Sequence, residues 1–505
     1  MSDNSASNRR IARNTLMLYI RMFLLMAVSL YTSRVVLEHL GIEDYGVYNL
    51  VGGVVSALSI LTQSLSGACS RFINFEQGTG NLAKLKSIVS ISFNIQILLS
   101  LGVVLLLETF GVWFLNNHLS IPIHRLEAAN WVLQFTIITF VVRLIIVPLN
   151  ALIISHERMG VYAYLSIIDV VMQLLIVYLL QISSFDKLVL YGFLMMLVPI
   201  VLFFIYLGYC KSKFQECNYS IKFERDIFKE MVGFAGWNFV GVTAGVLRNQ
   251  GIDIIVNLFY GVVLNASRGI ASQVSSAVSR LSSGFTTAIN PQITKTYASG
   301  DIGRMQFLIH QGSRFSFYLM MCIVIPLVLE MNIVLRLWLK TVPEYAVIFS
   351  QLIILETLIA CLSQSLITAL LATGQIKKYQ LLVGLFNVIN FPISYLLLYL
   401  GFQPFITYIV MMVIEFGCLY LRLYMIRAII GIAIAPYFKN VLLNIMAVST
   451  LSLILPIICI WVLPEGVVRL ITTFCVSIIS SLTIICFVGL NKQERNIIIN
   501  KILHR

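Results

Sequence analysis

The 505-residue sequence has little charge: Asp, Glu, Lys and Arg make up only 11% of it, against 59% hydrophobic residues and a mean hydropathy of +0.91. That balance excludes an ordinary soluble domain, which carries about a quarter charged residues. Long polar stretches are missing too. The longest expected outer loop, "NNHLSIPIHRLE", offers roughly a dozen residues, so no extramembrane domain is available for chemistry. The phosphate-cradling pattern GxxxxGK[ST] is absent, and "GTGNLAKLKS" from Gly78 resembles it only superficially, which argues against ATP hydrolysis. The nine cysteines include no CxxC pair and fall mostly inside apolar runs. They indicate neither a disulfide framework nor a zinc site, and packing is their expected role. His156 sits beside Glu157 in "SHERMG" rather than four residues from a second histidine, so a solvated loop is expected there. Nothing calls for a metal or cofactor, and no enzyme activity is expected.

What is present is a series of apolar runs. A membrane-spanning helix needs about 20 apolar residues to cross a core about 30 Å thick, and the chain offers about fourteen such windows. They lie near 14–37, 45–72, 87–115, 128–154, 160–181, 188–210, 231–258, 262–290, 305–329, 346–372, 379–400, 404–426, 439–463 and 466–489. The fold class expected is therefore an all-α polytopic membrane protein. Its polar opening "MSDNSASNRRIARN" has no cleavage site behind a short apolar core and is read as retained.

The net charge of +13 suggests a nucleic-acid partner until its distribution is examined. With the N-terminus in the cytoplasm, about 23 of the 35 Lys and Arg residues fall in inner loops and tails and about 5 in outer loops. The basic excess is mostly topology, and no nucleic acid is implied. An even span count brings the C-terminal tail inside as well. Trp113, Trp131, Trp338 and Trp461 fall near the expected outer ends, where indole rings favour the interface.

The chain contains an internal repeat. At a constant offset of 220 residues, Gly41 meets Gly261, "GN" at 80 meets "GD" at 300, and Lys84 meets Arg304. "VVSALSIL" from Val54 meets "VSSAVSRL" from Val274 with five of eight positions identical. The offset spans six helices, so both copies share one orientation, as in transporters built from two parallel halves with the substrate path between them. The expected organisation is a six-helix half over 1–210, a cytoplasmic linker over 211–230, a second six-helix half over 231–427, two further helices within 437–489 and a cytoplasmic tail over 490–505.

Two six-helix halves, a Gly-Asn or Gly-Asp loop followed by Lys84 or Arg304, and two extra C-terminal helices resemble the multidrug/oligosaccharidyl-lipid/polysaccharide exporter superfamily. "RRIARNTLMLYIRMFLLMAVSLYTSRVVLEHLGIEDYGVYNLV" near the N-terminus is most similar to its polysaccharide-biosynthesis branch, the Wzx-type flippases. The resemblance implies a V-shaped helical carrier in the bacterial inner membrane, with both termini cytoplasmic. It would move an undecaprenyl-pyrophosphate-linked oligosaccharide, an O-antigen or capsular or exopolysaccharide repeat unit, from inner to outer leaflet under an ion gradient. Glycan polymerase and chain-length proteins are partners the resemblance allows. About fourteen spans depart from the twelve usual in that branch. A multidrug exporter of the same fold and a membrane-embedded glycan polymerase or ligase remain as alternatives. The first would want an acidic, aromatic-lined cavity, and the second a sizeable outer loop.

The residues themselves point toward an anionic substrate. Arg21, Arg34, Arg143, Arg248, Arg268, Arg280 and Arg314 lie inside expected spans, with Glu108, Asp169, Asp253, Glu356 and Glu415, while Glu38 and Glu330 fall near outer ends. Each such charge costs about 2.5–3.5 kcal/mol at mid-bilayer and so faces protein or water. Arginine suits phosphate because its planar fork binds two oxygens and stays charged. In "GVLRNQGIDIIV", Arg248 and Asp253 are five residues apart, about 140° around a helix, and must find separate partners. Asp253 is expected to orient a neighbouring arginine or to meet sugar hydroxyls. Arg21, Arg34, Arg143, Arg248, Arg268 and Arg280 are the expected substrate-binding residues. Asp169, Asp253 and Glu356 are the expected ion-coupling ones, and each of Asp169 and Glu356 has pairing with a span arginine as its alternative. Arg314 is expected to anchor its helix at the interface.

Overall fold

The computed structural model describes residues 58–495 except 119–120, 183–184, 220–223, 261, 340–341 and 492–493, together with scattered positions from 17 to 55. Every regular element among the described residues is helical. Two compact units divide the chain, Met1–Val242 and Thr243–Arg505.

The first unit contains α1 (Ser59–Thr79), α2 (Leu82–Leu106), a π turn at Leu107–Gly111, α3 (Val112–His118), α4 (Leu126–Ser155), α5 (Met159–Ile182), α6 (Lys187–Lys213) and the start of α7 (Arg225–Tyr260). The second holds the rest of α7, then α8 (Val262–Ala298), α9 (Ile302–Trp338), α10 (Ala346–Ala360), α11 (Gln364–Ala372), α12 (Ile376–Tyr399), α13 (Ile406–Ile430), α14 (Ile434–Tyr437), α15 (Asn444–Val462) and α16 (Val467–Ile484).

Eleven helices among the described residues are long and apolar enough to cross a membrane. They match eleven of the expected spans one for one, from 87–115 to 466–489. The window 14–37 falls largely outside the described residues. The window 45–72 meets α1 only in its second half, its first half lying mostly outside the described residues, and 262–290 corresponds to α8, which is helical but too polar to count as an apolar span. In α8 the hydroxyls of Thr286, Thr287, Thr294 and Thr296 donate to carbonyls one turn back, at 2.7–3.3 Å. Such back-bonding satisfies the polar groups inside the helix itself.

The repeat is visible at its anchors. α1 ends at Gly80 in the left-handed region (φ 75°), and the Asn81 side chain caps α2 by accepting from the Lys84 N–H at 3.1 Å. The counterpart between α8 and α9 has Gly300 at φ 78°, with Asp301 accepting from the Arg304 N–H at 2.9 Å. Glycine avoids the Cβ cost of that conformation, and a short acceptor side chain caps the next helix.

One expectation about charge changes here. Arg314 is no interfacial anchor: it is buried, and it donates to Glu494 at 2.6 Å and to the Gly489 carbonyl at 3.3 Å. Glu330 is fully buried where α9 leaves helical geometry (φ −112°, ψ 19°), four residues after Pro326. Arg469 of α16 grips both its carboxylate oxygens at 3.0 and 3.1 Å, and Gln351 satisfies the Val328 carbonyl beside the kink at 2.8 Å. Two arginine–carboxylate pairs thus fasten the C-terminal segment to α9.

Loops of the first unit are tied by charge as well. Arg125 bridges Asp44, at 2.6 Å through Nε, and Asp186, at 2.5 Å, while Asp186 caps α6 through the Leu188 and Val189 N–H groups. Burial pushes the Asp186 carboxyl up, but the Val189 N–H and the Arg125 guanidinium outweigh it and hold it below its ordinary range. The imidazole of His156 bonds Glu216 and stacks on Phe214 with ring centroids 4.1 Å apart. For buried Glu216, desolvation is likewise outweighed, chiefly by the His156 bond, and the carboxyl lies below its ordinary range.

Candidate functional site

The first unit holds a partly open cavity of about 520 Å³ lined by polar groups from five stretches of chain. Arg21 comes from the helical stretch before α1, Thr62, Gln63 and Ser66 from one face of α1, Arg143 and Asn150 from α4, Tyr162, Ser166 and Asp169 from α5, and Tyr206 from α6. The polar face of α1 thus borders the cavity. Pro199 of α6 also lines it.

Within the cavity the Arg21 guanidinium lies over the Tyr162 ring, 4.4 Å from its centroid, and its Nε is buried with no hydrogen-bond partner. Arg143 is exposed to the cavity, and no ion pair engages it among the described residues. Asp169 accepts one hydrogen bond, from Gln173 at 2.8 Å. Tyr206 stands within electrostatic reach of Tyr162, Arg21 and Asp169. The Asn150 carbonyl oxygen is buried and unpartnered. Among the described residues, two guanidiniums against one carboxylate make the cavity positive, with unused donors and an unused acceptor, a place where an anion bearing hydroxyls gains charge-assisted bonds.

The second unit treats its charges differently. Arg248 on α7 donates to Glu356 on α10, to Glu415 on α13 at 3.0 Å and to Asn387 on α12 at 3.3 Å. The other oxygen of Glu415 accepts from Arg422 at 2.7 Å, and Arg422 also donates to Ser363 at 2.7 Å. Four helices are thereby tied by two cations and two anions, a neutral cluster in which Glu356, Glu415 and Arg422 are buried. Arg268 donates to Asp253 at 2.5 Å and lies over the Tyr408 ring, 5.2 Å from its centroid. Asp253 thus orients a neighbouring arginine. Arg280 is exposed on α8, its carbonyl accepting from Ser283 at 2.8 Å.

The expected site residues therefore part into groups. Arg21, Arg143 and Asp169 share the cavity; Arg248 and Glu356 share the neutral cluster; Arg268 and Asp253 pair with each other; Arg280 stands apart; and Arg34 lies outside the described residues. Sequence reasoning passed over Arg422 and gave Glu415 no role. The signal was present, since the two lie seven residues apart, two turns along one face of α13. Asn150, Tyr162 and Tyr206 carried no comparable signal, because an aromatic or an amide in a span more often packs.

The sequence matches no family model and no curated relative. The fold does have solved counterparts. A MATE transporter in complex with MaD3S superposes with a TM-score of 0.72 at 13% identity, covering 84% of this chain and 97% of that one. An outward-facing multidrug resistance MATE family transporter of the MOP superfamily gives 0.71 at 12% identity, covering 82% and 94%. A MOP superfamily transporter from Pyrococcus furiosus, described by the reverse polarity of its binding pocket, gives 0.71 at 13% identity, covering 84% and 96%. The protein is thus a multi-pass, all-helical membrane protein. Its fold is that of the MATE transporters.

Proposed function

We propose that the protein is a transporter that flips an anionic, lipid-linked oligosaccharide across the bacterial inner membrane. The observation that carries this reading is the cavity of the first unit, where Arg21 and Arg143 outnumber Asp169. A half-buried arginine whose buried Nε is unused favours a ligand that brings oxygen acceptors and negative charge, and a pyrophosphate-linked glycan brings both. Serine, threonine, asparagine and tyrosine groups around the arginines suit sugar hydroxyls. A cationic drug would meet like charge at the same place. The MOP superfamily transporter from Pyrococcus furiosus, for which reverse polarity of the binding pocket suggests a different function, offers a parallel within this fold.

The test is complementation of a strain lacking the protein, with lipid-linked repeat units measured on each leaflet. Wild type restores export; Arg21→Ala and Arg143→Ala each reduce it at least tenfold, and Arg→Lys recovers part of it because a point charge replaces a fork. Export at the wild-type level by the Arg21→Ala/Arg143→Ala double variant, at matched expression, would overturn the reading.

A further inference from the structure

Leu98, Leu101 and Leu105 lie along one exposed face of α2, which belongs to a helical stretch long and apolar enough to cross a membrane, so that face is the one turned to lipid. Glu108, three residues after Leu105, continues the same strip. It is exposed, and no ion pair engages it among the described residues. The Gln134 amide of α4 donates to its Oε2 at 3.0 Å. A neutral amide leaves the charge in place, and a carboxylate on a lipid-facing surface calls for a cation from outside the chain.

The backbone at Glu108 adds a second observation. Leu107–Gly111 is a π turn, closed by the Val112 N–H bonding to the Leu107 carbonyl five residues back. The Thr109 hydroxyl donates to the Leu105 carbonyl at 2.6 Å, satisfying backbone beside the wider turn. In an α-helix Glu108 and Trp113, five residues apart, would stand about 140° apart around the axis. Bonding from i to i+5 instead stacks such a pair on one side, so the π turn sets the exposed Trp113 one turn beyond Glu108. On α4 the exposed Trp131 lies three residues before Gln134, on the same face. Both indoles thus flank the Glu108–Gln134 pair on the side of the Ile123–Arg125 turn.

We infer that Glu108, with Trp113 and Trp131, forms a site on the lipid-facing surface for the primary ammonium of an aminophospholipid head group. The inference is independent of what the cavity of the first unit carries. Indole rings favour the head-group level, which is where a lipid ammonium is found. The carboxylate accepts a charge-assisted bond from its N–H, and the ring faces attract the cation. A quaternary ammonium has no N–H to give the carboxylate, and an anionic head group meets like charge. On the topology expected from the basic loops, the site opens to the outer leaflet. A head group held there touches α2 and α4 together and so stabilises their contact.

The experiment uses the full-length protein, purified and stripped of lipid by detergent exchange. Short-chain phosphatidylethanolamine, phosphatidylcholine and phosphatidylglycerol are added in turn, with bound lipid counted by native mass spectrometry and the melting temperature followed in parallel. Wild type is expected to bind phosphatidylethanolamine at least about tenfold more tightly than either other lipid, and to melt higher with it. Glu108→Gln loses that preference, and Trp113→Leu lowers it about threefold. Equal binding of the three lipids by wild type overturns the inference, and so does a preference for the anionic lipid. A preference for phosphatidylethanolamine that survives in Glu108→Gln overturns it too. Should that variant not fold, the wild-type comparison of the three lipids decides alone.

Discussion

Nη1 of Arg248 donates to Oε2 of Glu415 across 3.0 Å, joining α7 to α13. Through this bond and its contact with Glu356, an arginine that sequence alone marks as a phosphate ligand is already neutralised by protein.

The first prediction concerns that cluster. Arg248→Met strips Glu356 of its partner and weakens the hold on Glu415, leaving buried negative charge at a cost of roughly 3–5 kcal/mol. Arg248→Met combined with Glu356→Gln keeps the neutral Glu415–Arg422 pair and should cost less. Thermal unfolding in detergent checks the order. A single variant as stable as wild type would mean that the cluster contributes nothing.

Arg143 should behave in the opposite way. It is exposed to a cavity and, among the described residues, has no ion-pair partner. Arg143→Ala should therefore change stability by no more than about 0.5 kcal/mol while reducing export. Comparing melting temperature with export at matched expression separates the two effects.

The third prediction concerns pH. Glu216 has a carboxyl held below its ordinary range by His156 despite burial, so in the folded state it binds its proton less readily than in the unfolded chain. Its contribution to stability is present above the ordinary carboxylate value of about 4.3 and is lost as pH falls through the lowered folded value. Glu216→Gln should flatten the acid side of the stability profile. An unchanged acid limb would show that the His156 contact is not linked to folding.

Backbone handedness supplies the fourth. Gly80 and Gly300 sit at φ 75° and 78°. Alanine at either should cost about 1–2 kcal/mol. Gly208 lies inside α6 with no atom within 4 Å of an added Cβ, so Gly208→Ala should be neutral or stabilising by up to about 1 kcal/mol. Equal melting temperatures for Gly80→Ala and Gly208→Ala would remove the conformational argument.

The helices were legible because the rule that makes them is local. Lipid offers no hydrogen bonds, so each span must satisfy its backbone within one continuous apolar stretch, and such stretches can be counted. The repeat was legible for the same kind of reason: a left-handed glycine followed by Asn81 or Asp301 is a turn written in adjacent residues. α8 was harder to read, because what a polar helix faces depends on its neighbours.

The sequence by itself determined an all-helical membrane protein, the position of most spans, the repeat and the set of charges that lipid cannot accommodate. Only the tertiary structure decided which of those charges are spent on each other. Arg248 and Glu356 are 108 residues apart, and Arg314 and Glu494 are 180. Pairing of that kind depends on which helix faces turn toward one another, and no residue's immediate neighbours carry that information. Arg21 and Arg143 are chemically the same as Arg248. What separates them is that the packing of α4, α5 and α6 leaves a cavity beside Arg21 and Arg143, while α10 and α13 bring carboxylates against Arg248.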